Sequence, residues 1–262
     1  MKRPLIMMNS LKPKKSLGQN FLINEKYLDE LVEAAQIEKE DVVIEVGPGT
    51  GNLTKKLCEK AKLVIAIEKD DNLSKSLNQN IGNPNNLEII NKDILEFHPE
   101  SRQESYKVVG NIPYYLTSHL IRTVLEQWPK PKTIVFTIQK QVAQRILAKP
   151  PKTNLLAIFT QYFCEPKIIT YISKGNFWPK PRVDSAIIRL TPRDEQRNDT
   201  KQLFKFIKTG FSKPRKILIS NLVAQLDIDK EQLIKTFQSI GLNPKSRAEN
   251  LTIEDWQKIS RS

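Results

Sequence analysis

The fold is decided by residues 41–51, whose sequence is Asp41-Val42-Val43-Ile44-Glu45-Val46-Gly47-Pro48-Gly49-Thr50-Gly51. Four of the first six residues are Val or Ile, a composition typical of a parallel strand that is buried on both faces. The glycines at alternate positions let the backbone turn tightly and approach a ligand closely. Because residues 53–58 have a helical pattern, the loop lies beside a helix N-terminus. This strand–loop–helix unit predicts an α/β domain that binds a ligand at the loop.

The glycine spacing helps to identify the ligand class. A dinucleotide-binding loop needs its third glycine one residue later, where this chain has Asn52. The observed spacing favours a nucleoside that carries an amino-acid chain, which has no pyrophosphate. A nicotinamide-dependent oxidoreductase is further disfavoured because the sequence lacks a set of residues for hydride transfer.

Two acidic residues follow the next two predicted strands. Glu68 ends the apolar run 63–67, about 20 residues after the glycine loop, where ribose hydroxyls would lie. Asp93 follows the run 87–90 and is placed to accept a hydrogen bond from an adenine amino group. Each acid taken alone is equally consistent with a solvated loop carboxylate, but their order after a glycine loop favours a nucleoside site.

A third motif, Asn111-Ile112-Pro113-Tyr114, ends the apolar run 108–110. An aromatic amine is a poor nucleophile because its lone pair is delocalised, and a pair of oxygen acceptors can favour the pyramidal geometry of its transition state. The Asn111 side chain supplies one such oxygen, and the backbone carbonyl of Ile112, held extended before Pro113, supplies another. Tyr114 offers a flat face for a base. The alternative is a proline turn that ends a buried strand.

Together these segments resemble the ribosomal RNA adenine N6,N6-dimethyltransferases, which modify two neighbouring adenines near the 3′ end of small-subunit (16S) RNA. The resemblance covers nearly the whole chain. Its segments are Leu17-Gly18-Gln19-Asn20-Phe21-Leu22, residues 45–51, residues 111–114, Phe177-Trp178-Pro179-Lys180-Pro181-Arg182-Val183-Asp184-Ser185-Ala186, Phe211-Ser212-Lys213-Pro214-Arg215-Lys216 and Arg247-Ala248-Glu249-Asn250-Leu251. The first and fourth are the specific ones, since generic methyltransferases lack them.

The resemblance implies a methyl donor, S-adenosylmethionine, and no metal. It implies that the donor is bound by Asn20, Leu22, Gly47, Glu68, Asp93 and Asn111, and the glycine loop adds Gly49 to this set. It also implies a catalytic set that holds the target amine at residues 111–114 (Asn111, Ile112, Pro113 and Tyr114) and sandwiches the adenine between Tyr114 and Phe177. A flipped-out base favours a loop or single-stranded target over a duplex interior.

The chain departs from the family pattern at three places. Gln141 stands where the family usually has an acid, Asn154-Leu155-Leu156 replaces an expected Tyr-Gly pair, and Pro214 interrupts a stretch that is normally rich in arginine. None of these positions belongs to the methyl-donor motifs. They bear on how RNA docks and leave the reaction class unchanged.

Composition is consistent with a polyanionic partner. The 262 residues have a net charge of +13 and a pI near 9.6, which alone does not distinguish RNA, DNA and an anionic membrane. No apolar stretch approaches membrane-spanning length and no signal-peptide core precedes the fold. We therefore expect a soluble intracellular protein that acts without a membrane. The family resemblance implies a cytoplasmic protein whose partner is small-subunit ribosomal RNA or its precursor (pre-30S) particle, and we expect it to be a monomer.

The predicted architecture is α/β, a Rossmann-like class I methyltransferase sheet with helices on both faces, followed by a small all-helical C-terminal domain. Helical and apolar segments alternate over residues 25–139, and residues 168–172 and 186–190 form a terminal strand pair. Thr117 or Ser118 is placed to cap the helical segment 120–128, and Thr252 and Asp255 have the spacing of a capping box. Residues 1–10 are expected to form a disordered, solvated tail. A polar linker at 191–199 separates a methyltransferase domain (1–192) from a helical domain (196–262). The latter has 13 Lys or Arg against 7 Asp or Glu, which suits RNA binding.

Two related functions remain open from the sequence. One is an adenine N6-methyltransferase of large-subunit ribosomal RNA, of the type that confers macrolide resistance, which would share most donor motifs. The segments 211–216 and 247–251 favour the small-subunit enzyme. The other is a non-catalytic ribosome-assembly factor that keeps the fold, which the intact Gly47, Glu68, Asp93 and Asn111 disfavour.

Overall fold

The computed structural model describes residues 12–99, 105–194 and 200–260. The strands in these ranges are β1 (Phe21–Leu22), β2 (Val42–Val46), β3 (Leu63–Glu68), β4 (Leu87–Asn91), β5 (Tyr106–Asn111), β6 (Thr133–Gln139), β7 (Cys164–Ile172), β8 (Phe177–Trp178) and β9 (Ser185–Pro192). The α-helices are α1 (Glu25–Ala35), α2 (Asn52–Cys58), α3 (Asp71–Asn80), α4 (Thr117–Glu126), α5 (Lys140–Ile146), α6 (Leu155–Phe163), α7 (Thr200–Gly210), α8 (Leu218–Val223), α9 (Lys230–Ser239) and α10 (Ile253–Ser260).

Seven strands form one sheet in the order β4-β3-β2-β5-β6-β9-β7. Neighbours from β4 to β6 run parallel, and β9 runs antiparallel to β6. The chain order reverses between β2 and β5, because β3 and β4 lie on one side of β2 and the later strands on the other. In open α/β sheets such a switch point opens a crevice at the carboxyl ends of the strands, where ligands bind.

Helices cover both faces of the sheet. On one face the side chains of α1 and α2, such as Leu31 and Leu57, pack with Val43 and Val109 of the central strands. On the same face Leu77 of α3 packs against Ala66 of β3. The strand side chains that point to the opposite face, such as Ile44 and Val108, are also fully buried. The mixed sheet with helices on both sides and a helical C-terminal region confirms the predicted fold class.

The contacts divide the chain into two compact units. The first comprises residues 1–143 and 165–192, and the second comprises residues 144–164 and 193–262. The sheet belongs to the first unit. The chain therefore leaves the first unit before α6, returns to it after Cys164, and leaves it again after Pro192. The separate roles of the two parts stay a prediction.

Aromatic packing organises the second unit. Phe204 of α7 contacts the rings of Phe159, Tyr162 and Phe163 of α6 at centroid distances of 5.1 to 5.7 Å. Trp256 of α10 is fully buried, and a Cβ on Gly210 would lie 2.3 Å from its ring. A glycine at the end of α7 is thus what lets α10 pack so closely.

Several local predictions can be compared with these elements. The reciprocal cap at the start of α10 is confirmed, since Asp255 N donates to Thr252 Oγ1 and Thr252 N donates to Asp255 Oδ2. The predicted cap of α4 by Thr117 or Ser118 is wrong, because Leu116 is the N-cap and has no side-chain hydrogen bond. Strand β9 extends into the first two residues of the predicted linker, of which residues 195–199 lie outside the described ranges. The N-terminal tail expected over residues 1–10 also lies outside the described ranges.

Candidate active site

The glycine loop follows β2 at the switch point of the sheet. Gly47 has a φ of +66°, and a Cβ added there would meet no atom within 4 Å, so the loop leaves open space at this position. Gly49 has a φ of +59°, and a Cβ there would lie 2.8 Å from the ring of Phe21. The loop therefore depends on both glycines: Gly47 leaves open space beside the backbone, and Gly49 allows the Phe21 ring to approach closely.

Glu68 lies at the carboxyl end of β3, and its side chain is buried at 6% exposure. Its Oε2 accepts a hydrogen bond from Gly49 N at 3.0 Å, and its Oε1 accepts one from Asp70 N at 2.8 Å. Burial raises the pKa of the Glu68 carboxyl, while these two N–H donors favour its charged form and limit the rise. The carboxyl is thus held in place beside the loop, with lone pairs left for further donors.

Asp93 is the N-cap of the 3₁₀ turn at Ile94–Glu96, where its Oδ1 accepts from Leu95 N at 3.0 Å. Its Oδ2 accepts from Lys69 Nζ at 2.7 Å. Partial burial opposes the charged form, but the bonds from Lys69 and Leu95 outweigh it, so the pKa of Asp93 lies below its ordinary value. Asp93 is therefore an ionised acceptor whose orientation is fixed on both oxygens.

Residues 14–22, the N-terminal segment, are fastened to the sheet by Asp70. This carboxylate is 3% exposed and is the N-cap of α3, accepting from Asn72 N. Lys14 Nζ donates to its Oδ1 at 2.8 Å, and Gln19 Nε2 donates to its Oδ2 at 3.0 Å. Because these donors lie 51 and 56 residues away in sequence, the contact fixes the path of the N-terminal segment across the carboxyl edge of the sheet.

The Asn111 side chain ends β5 and contacts the same N-terminal segment. Asn111 Nδ2 donates to the backbone oxygen of Asn20 at 2.7 Å, and Asn20 Nδ2 donates to Gly18 O at 3.0 Å. With the Asn111 amide nitrogen bound to a carbonyl, its Oδ1 is directed away from that contact. Within the described residues no hydrogen bond to this oxygen is formed, so it is available as an acceptor.

Ile112 continues the line of β5 beyond the strand. Its N–H donates to Thr137 O at 3.1 Å, which fixes the peptide against β6. In the part of the chain that the structure describes, no backbone N–H donates to the Ile112 oxygen. Pro113 O accepts from Leu116 N at 2.9 Å and so starts the turn that leads into α4. The motif therefore presents two adjacent unpaired carbonyl oxygens, one from a side chain and one from the backbone.

Two aromatic rings complete the motif. The hydroxyl oxygen of Tyr114 lies 2.7 Å from Ser185 Oγ, at the start of β9. Phe177 lies in β8, which pairs with β1 so that Leu22 faces Phe177 and Phe21 faces Trp178. In the described residues Tyr114 and Phe177 form no ring–ring contact with each other. Both rings border the same cavity.

One cavity brings most of the predicted residues together. Those that line it are Asn20, Gly47, Gly49, Glu68, Asp93, Asn111, Ile112, Pro113, Tyr114 and Phe177. Leu22 is the exception: it is buried in the core beneath, where β1 pairs with β8. Lys69, Gln19 and Tyr115 also line the cavity, although the sequence analysis did not select them. Gln19 lies inside the motif at residues 17–22, and Lys69 directly follows Glu68. Their closeness in sequence to motif residues was the signal that could have identified these two side chains.

The three departures from the family pattern are surface or capping positions. Asn154 is the N-cap of α6, accepting from Ala157 N at 3.1 Å and donating to Arg145 O at 2.9 Å. Gln141 lies exposed on α5, and Pro214 lies exposed in the loop after α7. The asparagine at position 154 therefore has a structural role, as the N-cap of α6.

In the described ranges no group of three or more His, Cys, Asp or Glu side chains is arranged to hold a metal ion. None of the helices described there is both long enough and apolar enough to span a bilayer.

This chain is similar to known proteins along nearly its whole length. Residues 10–262 match the family model described as ribosomal RNA adenine dimethylase. A relative from Clostridium botulinum (strain Okra / Type B1), named ribosomal RNA small subunit methyltransferase A, is 41% identical over 94% of this chain and 92% of its own length. A relative of the same name from Dehalococcoides mccartyi (strain CBDB1) is 37% identical over 95% of this chain and 88% of its own.

Solved structures extend the similarity to the whole fold. A dimethyladenosine transferase from Plasmodium falciparum superposes with a TM-score of 0.79 at 27% identity, covering 91% of this chain and 95% of its own. The 23S rRNA methyltransferase ErmE superposes with a TM-score of 0.76 at 25% identity, covering 92% and 98%. The match along nearly the full sequence, on a chain whose motif residues meet in one cavity, places this protein in the ribosomal RNA adenine dimethylase family.

Proposed function

We propose that this protein transfers methyl groups from S-adenosylmethionine to the N6 nitrogens of two adjacent adenines in a loop near the 3′ end of small-subunit (16S) ribosomal RNA. The relatives named ribosomal RNA small subunit methyltransferase A support this substrate. The observation that supports the chemistry is the pair of unpaired oxygens at Asn111 and Ile112 inside the cavity.

The cavity suits the methyl donor. The open side of Gly47 leaves space against the backbone, and Glu68 and Asp93 supply fixed carboxylate acceptors for ribose hydroxyls and an adenine amino group. Asn20, and Leu22 through the pairing of β1, would position the N-terminal segment over that site. When bound, S-adenosylmethionine supplies an activated methyl group on a sulfonium, so the chain needs no metal for this chemistry.

Asn111 and Ile112 perform the catalytic task in this proposal. The Asn111 Oδ1 and the Ile112 oxygen accept hydrogen bonds from the two N–H groups of the target amine and direct its lone pair toward the donor methyl. The new N–C bond would form as the bond between the methyl and sulfur breaks, and once transfer is complete one N–H proton of the product would pass to water. As the nitrogen forms its new bond it becomes positively charged, and two fixed carbonyl dipoles stabilise that charge more than they stabilise the neutral ground state. Proximity and orientation supply the rest.

Tyr114 and Phe177 hold the target base. The bond between the Tyr114 hydroxyl and Ser185 fixes one ring, and the pairing of β8 with β1 fixes the other. An adenine that has left its stack fits between them and regains part of its lost stacking. The same space must admit the monomethylated base for the second transfer.

The helical unit is proposed to bind the RNA backbone. Exposed basic side chains occupy the loop after α7 and the segment before α10, and a bond from Leu218 N to Ser246 O (2.9 Å) brings these two segments together. The exposed basic side chains of these two segments are Lys213, Arg215, Lys216, Lys245 and Arg247. Such a cluster suits phosphate contacts. We propose that the protein acts as a cytoplasmic monomer on the precursor of the small ribosomal subunit.

The test is transfer of labelled methyl groups to unmethylated small-subunit particles and, in parallel, to large-subunit ribosomal RNA, followed by mapping of the modified bases. We expect dimethylation of two adjacent adenines near the 3′ end of the small-subunit RNA. Modification of the large-subunit RNA instead would favour the second candidate, which the similarity to ErmE supports. Binding to particles without any transfer would indicate a non-catalytic assembly factor.

A further inference from the structure

An aromatic side chain lies exposed at the carboxyl end of β7. Tyr171 is 46% exposed and is one of three exposed large hydrophobic side chains in the described residues. The Lys140 Nζ lies 5.1 Å from the centroid of its ring. A single exposed tyrosine is ordinary, but one that is covered on one side by an ammonium group is held in a defined orientation.

The position of this pair relative to the cavity is fixed by short contacts. Lys140 N donates to Asp184 O at 3.0 Å, and the next residue, Ser185, is bonded to the hydroxyl of Tyr114. Strand β9, which starts at Ser185, is the neighbour of β7 in the sheet. Since neighbouring strands lie about 5 Å apart, Tyr171 is within reach of a nucleotide that adjoins a base held by Tyr114.

The surroundings of the pair are cationic. The segment 173–184 carries Lys174, Lys180 and Arg182, and its one acid, Asp184, accepts a hydrogen bond from Lys174 N at 3.0 Å. Lys180 and Arg182 are exposed. Phosphates of a strand that crosses this edge would therefore meet positive charge on the side of the cavity where Tyr171 stands.

We propose that Tyr171 and Lys140 form a stacking platform for the base of a nucleotide that flanks the target adenine in single-stranded RNA. The platform rests on the proposed function and adds a second base-binding position to it. Stacking tolerates any base because every base has a flat π-face, and the ammonium of Lys140 strengthens the platform by neutralising nearby phosphate. The flanking base would thus set how far the strand is splayed when the target enters the cavity.

The experiment compares Tyr171→Ala, Tyr171→Leu and Tyr171→Phe in methyl transfer to unmethylated small-subunit particles. Loss of one stacked base is expected to raise the KM for particles by roughly 5- to 100-fold in Tyr171→Ala. Tyr171→Leu, which is apolar but has no flat face, should behave like the alanine variant, and Tyr171→Phe should stay near wild type. Cofactor affinity and thermal stability should be unchanged in all three.

A second set of particles, reconstituted with RNA that lacks the base on one flanking nucleotide, identifies the partner. On the particle that lacks the stacked base, wild type and Tyr171→Ala should have the same KM. An unchanged KM for Tyr171→Ala on normal particles, or full activity of Tyr171→Leu, would overturn the platform while leaving the proposed function intact. A wild-type protein that transfers no methyl to the particles would overturn both.

Discussion

The side-chain nitrogen of Asn111 lies 2.7 Å from the backbone oxygen of Asn20. This contact joins the end of β5 to the N-terminal segment, 91 residues earlier in the chain. Because it uses the donor side of the amide, it leaves the acceptor side for the cavity. The orientation of the Asn111 amide, on which its proposed role depends, is therefore set by the position of the N-terminal segment, which Asp70 holds in turn.

Asp70→Asn should weaken both cofactor binding and turnover although Asp70 does not line the cavity. Asparagine still caps α3, so the change removes the charge that holds Lys14 and leaves the helix start intact. We expect about a fivefold loss in each parameter, since Lys14 is partly exposed and its ion pair is screened. Methyl-transfer rates measured as a function of cofactor concentration give both parameters. Asp71→Asn, an exposed neighbour in the first turn of α3, is the matched control, and equal effects in the two variants would contradict the role of Asp70.

Glu68→Ala should lower the affinity for S-adenosylmethionine by roughly tenfold or more, because it removes a charged acceptor that is already oriented by Gly49 and Asp70. Isothermal titration calorimetry gives the affinity directly. Glu88→Ala, an exposed acid on the neighbouring strand β4, should bind like wild type. Undiminished binding in the Glu68 variant would remove this residue from the cofactor site.

Gly49→Ala should destabilise the fold and the cofactor site together. A left-handed backbone costs an alanine about 1–2 kcal/mol, and the new Cβ would lie 2.8 Å from Phe21, so β1 must shift. Urea unfolding and cofactor titration measure the two effects. Gly175→Ala provides the control, because nothing lies within 4 Å of its added Cβ. If Gly49→Ala matched this control in both assays, Phe21 would not be packed on the glycine loop.

The free energy of unfolding should depend on pH because of Glu45. This side chain is buried in β2, and neither carboxyl oxygen forms a hydrogen bond of good geometry among the described residues. Burial, with the nearby Glu68 carboxylate adding to it and the Thr54 hydroxyl opposing it, raises the pKa of Glu45 to about 8 from an ordinary value near 4.5. Between these values the folded chain retains a proton that the unfolded chain has lost. Unfolding therefore becomes easier by about 1.4 kcal/mol per pH unit as the pH rises through this window.

Glu45→Gln should remove that dependence. Relative to wild type, the free energy of unfolding of the variant should increase by about 3 kcal/mol between pH 5.5 and pH 7.5. Urea titrations at the two pH values provide the comparison. Parallel pH profiles for the two proteins would show that Glu45 titrates near its ordinary pKa in the folded state.

The strand ends of the site were predictable from the sequence because each lies directly after an apolar run. Glu68 and Asn111 end the strands β3 and β5 on either side of β2, and Asp93 follows β4. The carboxyl ends of these parallel strands must meet at one edge of the sheet. The glycine loop was predictable for the same reason. Periodicity and turn chemistry are local signals, and these residues depend only on local signals and on the topology of a parallel sheet.

The contacts that hold the site together were not predictable. Asp70 pairs with Lys14 and Gln19 across more than 50 residues, and no local pattern encodes such a pairing. The two-residue strands β1 and β8 are too short for any periodicity. The predicted cap of α4 failed because the turn from Pro113 to Leu116 feeds directly into the helix, which moves its start ahead of the expected threonine or serine.

The most direct test of the central claim, that two carbonyl oxygens hold the target amine, is the single-turnover rate of methyl transfer by Asn111→Ala with saturating cofactor and bound small-subunit particles. Loss of one fixed acceptor for transition-state charge should lower this rate by about 100-fold or more, with particle affinity unchanged. A rate near that of wild type in a variant that binds both substrates would contradict the account.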